Sequence, residues 1–330
     1  MAGPLINELS QRAMGGTEQM QHRLYSTVNP ELTSQFQIWF SRFRIADYDS
    51  SKFQIYYAHD LPGDPEADVL KDGGWARFHK IIFVSNWQMN MYHLHYQIPL
   101  GRCQVMLNAV EPITLPDVKS NEKLKIGYWS TPHRGLNILV PVFDYLSQKY
   151  ENIELDVFSS FKLYGWEERD KPYEELFQRM VDHPKINYHG SVSNQEIRNY
   201  AKGAHILAYP STWIETSCIV LMEAMSAGML CVHPNLGALF ETAANWTSMY
   251  QYDEDLNTHA SIFHQELETA ILGYDHPAIR SRLTSQKAYA DVFYNWNTRA
   301  AEWELILQQI VDAPPPIVTP TVQEPFKITT

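Results

Sequence analysis

Two glutamates, Glu215 and Glu223, stand eight positions apart in one stretch of the chain. The first lies in a polar loop, and the second lies within an apolar pattern that predicts a helix. Thr216 and Ser217 favour the helix N-terminus, where backbone N–H groups can bind a phosphate or diphosphate. Glu215 can then accept hydrogen bonds from sugar hydroxyls, and a ribose diol suits Glu223, which is costly to bury unpaired. The alternative is that both are solvent-facing helix acids, with Glu215 merely favouring the helix dipole.

Arg134 and a glycine pair offer further contacts to an anion. Arg134 stands in a turn after an apolar run, and its planar fork suits a diphosphate. The alternative is an ordinary surface arginine. Gly15 and Gly16 precede a predicted helix that starts near Thr17, so that the backbone can approach a phosphate there. On its own, such a glycine pair is also common turn chemistry.

His59 follows an apolar run at 53–57, where a binding residue is expected in a parallel sheet. Asp60 and Asp64 are the nearest carboxylates if the reaction uses a nucleophile, although Asp is also a common turn residue. Trp213, close to Glu215, is the aromatic side chain that we expect to stack on a sugar or a base. His93 and His95 are two positions apart, which on a helix points them away from each other, so no metal site is expected.

Apolar runs alternate with helical patterns along most of the chain, which predicts βα units and parallel sheets. Two such series, joined by a proline-containing linker at 111–121, predict an α/β fold of two Rossmann-like domains that face a cleft. Strands are predicted at 36–40, 53–57, 81–84, 104–107, 124–128, 153–158, 186–188, 205–209 and 229–233. Helices are predicted at 86–96, 136–146 and 173–181, from a capping box at Ser193, before Gly228, and over most of 257–311.

The stretch from Pro210 to Gly228 resembles the retaining glycosyltransferases of family 4, which have the GT-B fold, because it holds Glu-x7-Glu followed by Ala-Met-Ser-Ala-Gly. Other pieces fall in the family's order, and the resemblance spans about 15 to 241. These pieces are Gly15-Gly16-Thr17-Glu18, the histidine of Tyr57-Ala58-His59-Asp60, Asn108-Ala109-Val110, His189-Gly190 before a helix at 193, and a loop over 235–241 that ends in glutamate; Phe293-Tyr294-Asn295-Trp296 is a weaker echo.

The resemblance implies transfer of a sugar from a nucleotide-diphosphate sugar to a hydroxyl acceptor, with retention at the anomeric carbon and without a metal or other cofactor. It places the ribose at Glu223, the sugar hydroxyls at Glu215 and the diphosphate at the amides of 216–218, with Arg134 in the place of a phosphate-binding lysine. His59 would bind the transferred sugar on the reacting face rather than act as a base. The catalytic residues so implied are His59, Arg134 and Glu215, and the donor site consists of Gly15, Gly16, Thr17, Ser130, Arg134, Trp213, Glu215, Thr216, Ser217, Cys218 and Glu223.

The chain departs from the family pattern in two places. The family usually has an arginine directly after the strand glycine, whereas Gly127 is followed by Tyr128 and Trp129, so that Ser130, Thr131 or His133 must supply donors instead. A first strand usually precedes the glycine loop, but 4–9 reads poorly as a central strand. The N-terminal domain is therefore expected to be abbreviated.

The domain limits expected from these patterns are 1–118, 119–290, a terminal helix at 291–311 that crosses back to the first domain, and a disordered proline-rich tail at 312–330. The 330 residues hold 38 acids and 26 bases, a formal charge of −12, which argues against a broad nucleic-acid surface. The apolar runs are too short for a membrane span, and no secretory signal is evident. Three scattered cysteines, an odd number, make a disulfide framework improbable and favour a reducing cytoplasm. The three cysteines read as buried small hydrophobes.

Two alternatives stay open at this point. The same architecture also occurs in glycosyltransferases that modify DNA bases, against which the net acidity counts. The missing second arginine and the short N-terminal half would also fit a GT-B module that binds without catalysing.

Overall fold

The computed structural model describes residues 15–116, 119 and 122–318. These residues form two compact units: 21–106 with 300–318, and 15–20 with 107–299. From residue 21 onward the chain thus passes between the units after 106 and after 299, whereas the limits expected from the sequence were 118 and 290. The poor strand candidate at 4–9 lies outside the described residues.

The first unit is built on a parallel sheet of four strands in the order β1-β2-β3-β4. The buried side chains of these strands, such as Tyr56 and Phe83, pack in an apolar core under the helix Asn86–Tyr96. The strands are β1 (Phe36–Phe40), β2 (Phe53–Ala58), β3 (Lys80–Phe83) and β4 (Cys103–Val105), and the helices are α1 (Gly16–Thr27, which begins in the other unit), α2 (Pro30–Thr33) and α3 (Asn86–Tyr96). Short 3-10 helices lie at Ile45–Asp47, Pro65–Leu70, Gly74–Arg77 and Leu100–Arg102.

The second unit is a parallel sheet of six strands in the order β10-β9-β8-β5-β6-β7. Its strands are β5 (Leu124–Trp129), β6 (Ile153–Phe158), β7 (Ile186–Tyr188), β8 (Ile206–Ala208), β9 (Leu230–Pro234) and β10 (Ser248–Tyr250). Its helices are α4 (Leu136–Lys149), α5 (Glu174–Asp182), α6 (Asn194–Ala201), α7 (Ile219–Ser226), α8 (Leu239–Ala243), α9 (Leu256–Gly273), α10 (Pro277–Phe293) and the start of α11 (Trp296–Asp312), with 3-10 turns at Phe161–Tyr164 and Glu167–Tyr173. The strand order reverses at β5, between β8 and β6, which is where open parallel sheets bind ligands.

Most predicted elements are confirmed, including the helix at Asn86–Tyr96 and the capping box of Ser193 with Glu196. The prediction of a disordered tail at 312–330 is wrong for its first residues. Asp312 ends α11, and the Val318 N–H donates to the Ala76 carbonyl at 2.8 Å, so that 313–318 is tied to the first unit. The rest of that tail, 319–330, lies outside the described residues.

Candidate functional site

The reversal point of the six-stranded sheet brings together two loops, 130–135 after β5 and 209–218 after β8. Gly135 lies where they touch. Its φ is +96°, and a Cβ there would stand 1.9 Å from the Pro210 carbonyl oxygen. Only glycine fits this approach, because any side chain would push the loops apart.

The two loops are joined by an ion pair between Arg134 and Glu215. The Arg134 Nη1 donates to the Glu215 Oε1 at 2.7 Å, and the hydroxyl of Tyr209 donates to the same oxygen at 2.6 Å. Glu215 is only 5% exposed. Burial acts to lower the pKa of Arg134, but the neighbouring carboxylate outweighs it and raises that pKa well above its ordinary value. The guanidinium therefore stays charged.

The loop that carries Arg134 holds several buried polar atoms without a hydrogen-bond partner among the described residues. The most informative is the Nε–H of Arg134, since it belongs to a charged group and can only donate. Buried polar groups are normally paired, so this turn offers several polar atoms that a ligand can pair. The others in this loop are the Thr131 Oγ1 and the His133 Nδ1, and the Trp129 Nε1 lies at the end of the preceding strand β5.

Glu223 lies on α7 and is 2% exposed. Two donors from α6 hold its Oε1: the Asn194 Nδ2 at 3.0 Å and the Arg198 Nη1 at 3.4 Å. Arg198 also donates to the Glu111 carbonyl at 2.8 Å. The carboxylate thus has protein partners that the sequence reasoning missed, since they come from another helix.

The glycine loop belongs to the same unit as these residues. A Cβ on Gly15 would stand 2.4 Å from the Tyr164 ring, and one on Gly16 would stand 3.1 Å from Ile219 at the start of α7. Tyr164 is also close enough to Arg134 to act on its pKa. Thr17 lies in the first turn of α1. Tyr164 therefore connects two predicted parts of the site, and no sequence signal pointed to it.

The start of α7 differs from the prediction. The N-cap is Cys218, without a side-chain hydrogen bond, rather than Thr216 or Ser217. The reason lies in the backbone of Glu215, whose carbonyl accepts from the Ala238 N–H at 2.7 Å. This bridge holds the chain extended, and a Cβ on the facing Gly237 would stand 2.5 Å from the same carbonyl.

Aromatic side chains flank the ion pair. Trp213 is 47% exposed and meets the His133 ring edge-on, with 4.9 Å between centroids. His133 stacks on Phe161 at 5.2 Å. Burial, with the positive charges of Arg134 and Arg169, lowers the pKa of His133 to about 4, so the imidazole is neutral at pH 7. A neutral ring can hydrogen-bond a phosphate but adds no charge.

Ser130 lies at a small cavity of about 50 Å³, beside Trp129 and Ser191. The cysteines are buried and free, as expected, and burial raises the pKa of Cys218 well above its usual range. The Cys218 thiol therefore stays protonated, and is not an activated nucleophile.

His59 belongs to the first unit and follows β2. Burial, with the charge of Arg42, lowers its pKa to about 3, so the ring is too weak a base to take a proton at neutral pH. Asp60 pairs with Arg42 at 2.6 Å. Asp64 caps a 3-10 turn through the Glu66 N–H, which is the turn role that its residue type allowed.

A family model described as "Glycosyl transferases group 1" matches residues 128–261, which include the loops of the Arg134–Glu215 pair and Glu223. No curated protein matches the sequence.

Several solved structures share the fold. A glycosyltransferase from Rickettsia africae is 14% identical, with a TM-score of 0.67 over 93% of this chain and 84% of its own. HepE of Anabaena, solved with UDP-glucose, is 17% identical, with a TM-score of 0.61 over 79% of this chain and 72% of its own. Sucrose-phosphate synthase from Thermosynechococcus elongatus is 13% identical, with a TM-score of 0.63 over 81% and 70%.

The predicted fold class, α/β with the two Rossmann-like domains of GT-B enzymes, is thereby confirmed. Together with the group 1 domain, the fold indicates a glycosyltransferase of class EC 2.4. None of the described helices is both long enough and apolar enough to cross a bilayer.

Proposed function

We propose that this glycosyltransferase binds a nucleoside-diphosphate sugar at the reversal point of the six-stranded sheet and transfers the sugar to a hydroxyl acceptor with retention. The observation that carries the proposal is the Arg134 guanidinium, held by Glu215 through Nη1 while its buried Nε–H lacks a hydrogen-bond partner among the described residues. The Nε and Nη2 edge of a guanidinium grips an oxyanion with two parallel bonds. A diphosphate is the anion that such a transferase must bind.

Arg134 also suits the chemistry of the leaving group. When the bond from the anomeric carbon to the diphosphate breaks, negative charge grows on the phosphate oxygen, and a charged donor already in place stabilises it. The acceptor oxygen forms its bond on the same face, and its proton passes to the departing phosphate. No carboxylate nucleophile, general base or metal is needed in this scheme, and we propose a metal-independent reaction.

The remaining contacts follow the same assignment. We propose that Glu223 binds the ribose diol and that Glu215 accepts a hydroxyl of the sugar, with Trp213 at its side. Gly15, Gly16 and Thr17 would cover the phosphates together with Ser130 and the amides of 216–218. Contact of the transferred sugar with His59, which is neutral and half-buried in the first unit, stays a prediction. A cytoplasmic location stays a prediction.

The test is a binding screen with UDP, GDP, ADP and their glucose and mannose esters. A true donor raises the melting temperature by mass action, so one nucleotide series should stand out in a thermal shift assay. UDP-glucose is the first candidate, because HepE of Anabaena was solved with it. Released nucleoside diphosphate in the presence of acceptor sugars would show transfer, and binding without release would indicate a module that does not catalyse.

Arg134→Gln should weaken nucleoside diphosphate binding and lower turnover by about tenfold or more, because the charge that meets the diphosphate is lost. Arg179→Gln is the matched control, since Arg179 pairs with Asp144 at 2.6 Å on the surface of the same unit. Calorimetry and a turnover assay measure both. Unchanged diphosphate affinity in Arg134→Gln, or no nucleotide that stabilises the wild type, would contradict the proposal.

A further inference from the structure

The carboxylate of Glu215 is held through one oxygen only. Its Oε1 accepts from both Arg134 and Tyr209, at 2.7 and 2.6 Å. No described residue donates to Oε2. A carboxylate can accept about four hydrogen bonds over its two oxygens, so Oε2 retains its full capacity for a ligand hydroxyl.

Glu215 needs such a restraint because it stands in a loop. Its backbone is fixed by the bridge to Gly237, but a glutamate side chain still has three rotatable bonds that the backbone does not set. The two hydrogen bonds to Oε1 therefore restrain the direction in which Oε2 points.

The two donors differ in what else they serve. We propose that Arg134 binds the diphosphate, so its position depends on the bound anion as well as on Glu215. The hydroxyl of Tyr209 has a single proton to donate, and it donates that proton to Glu215. Tyr209 is 0% exposed, so it cannot touch a substrate.

Tyr209 is itself rigidly placed. It follows β8 directly, and its N–H donates to the Val232 carbonyl of β9 at 2.9 Å. Its carbonyl accepts from the Ser211 N–H at 2.8 Å, and its ring packs against Tyr128 with 5.9 Å between centroids. The sheet therefore fixes the position of the Tyr209 hydroxyl, and that hydroxyl in turn restrains the side chain of Glu215 in the loop.

We infer that Tyr209 is a positioning residue that fixes Glu215 so that Oε2 accepts a hydroxyl of the donor sugar, and that it therefore acts on recognition of the sugar rather than of the nucleotide. This inference rests on the proposed function, since it needs a nucleotide sugar at this site. It predicts that the sugar and nucleotide parts of the donor respond differently to loss of one buried hydroxyl.

The experiment compares wild type with Tyr209→Phe, using the nucleoside diphosphate and the matching nucleotide sugar that stabilise the wild type most in the screen. Affinity for the diphosphate should stay within about twofold, while affinity for the nucleotide sugar should fall by about tenfold, the usual effect of losing a hydrogen bond to a charged group. Calorimetry gives both dissociation constants.

Deoxy analogues of the same nucleotide sugar sharpen the test. In the wild type, the analogue that lacks the hydroxyl bound by Glu215 should bind about tenfold more weakly than the parent. In Tyr209→Phe this difference should shrink to about twofold or less, because the partner of that hydroxyl is no longer held in place. An undiminished difference would overturn the inference.

Tyr294→Phe is the control. Tyr294 is equally buried in the same unit, and its hydroxyl gives one 2.8 Å hydrogen bond to the Thr242 carbonyl. The melting temperature should fall by a similar amount in both variants. Only Tyr209→Phe should weaken binding of the nucleotide sugar more than binding of the nucleoside diphosphate. A parallel loss of both affinities in Tyr209→Phe would assign it a structural role only. If no nucleotide binds the wild type, the proposed function fails and this inference falls with it.

Discussion

Glu223 shows how a single buried charge binds two helices together. Replacing it by glutamine removes the negative charge but leaves the Arg198 charge buried, which should lower the free energy of unfolding by about 3 kcal/mol. The same change should weaken nucleoside diphosphate binding if the carboxylate holds the ribose. Urea denaturation and calorimetry measure the two effects.

The control for Glu223→Gln is Asp144→Asn, which breaks the exposed pair with Arg179 and should cost less than about 1 kcal/mol. Equal losses of stability in the two variants would mean that Arg198 finds another partner. A stable Glu223→Gln protein with full nucleotide affinity would remove Glu223 from the proposed donor site.

For single residues, the residue type and its neighbours were enough to predict burial and the kind of ligand. The apolar neighbours of Glu223 indicated that it is buried and needs a partner, and the fork of Arg134 suggested an anion. The partners themselves could not be read, because Arg198 reaches Glu223 across the α6–α7 contact, 25 positions away. Arg134 and Glu215 are 81 positions apart, and no local spacing connects them.

The loops that form the site depend on how closely their backbones approach. Gly135→Ala should destabilise the protein by about 3 kcal/mol or more, because it adds a clash with the Pro210 carbonyl to the strain of a positive φ. It should also reduce nucleotide binding, since the clash separates Arg134 from Glu215. Denaturation and the thermal shift screen test this.

Gly165→Ala separates the two causes. Gly165 also has a positive φ, +74°, but a Cβ there meets nothing within 4 Å. Its replacement should cost only about 1 kcal/mol of strain and leave nucleotide binding unchanged. If both alanine variants behave alike, the contact between the two loops has no role in the site.

Elements follow from the sequence where one local rule decides them. The helix at Asn86–Tyr96 has a serine cap, and the strands of both sheets are short apolar runs. The rule failed at Thr216 and Ser217, where good capping residues lie in a backbone bridged to Gly237. It also failed at 313–318, where prolines suggested disorder but hydrogen bonds to Ala76 and Arg102 order the segment.

Stability of the whole protein should depend on pH through its buried histidines. His233 is 0% exposed, its Nδ1 lies 2.9 Å from the Pro234 carbonyl and its Nε2 lies 2.8 Å from the Thr247 hydroxyl. Burial lowers its pKa from 6.5 to about 4. Between pH 6.5 and about 4, His233 is therefore protonated in the unfolded chain but neutral in the folded one. The free energy of unfolding is highest above pH 6.5 and decreases as the pH falls towards 4.

His233 should contribute a slope of about 1.4 kcal/mol per pH unit in that window. His233→Gln removes this titration, so the variant should lose less stability than the wild type between pH 6.5 and about 4, although it is less stable at about pH 8. Urea denaturation at several pH values compares the two slopes. If the free energy of unfolding falls equally steeply with pH in both proteins, His233 does not determine the loss of stability in acid.

The first unit consists of two segments of the chain that are separated by the second unit. This arrangement determines the order in which the units can be completed during translation. The first unit contains 21–106 but also 300–318. Trp303 packs on Tyr57 of β2 at 5.1 Å, and Glu304 accepts from the Asn29 N–H at 3.0 Å. The unit whose sheet is translated first is therefore completed last, after the whole six-stranded unit has left the exit tunnel. Until then its buried face lacks α11, and that is the period in which a nascent chain most needs a chaperone.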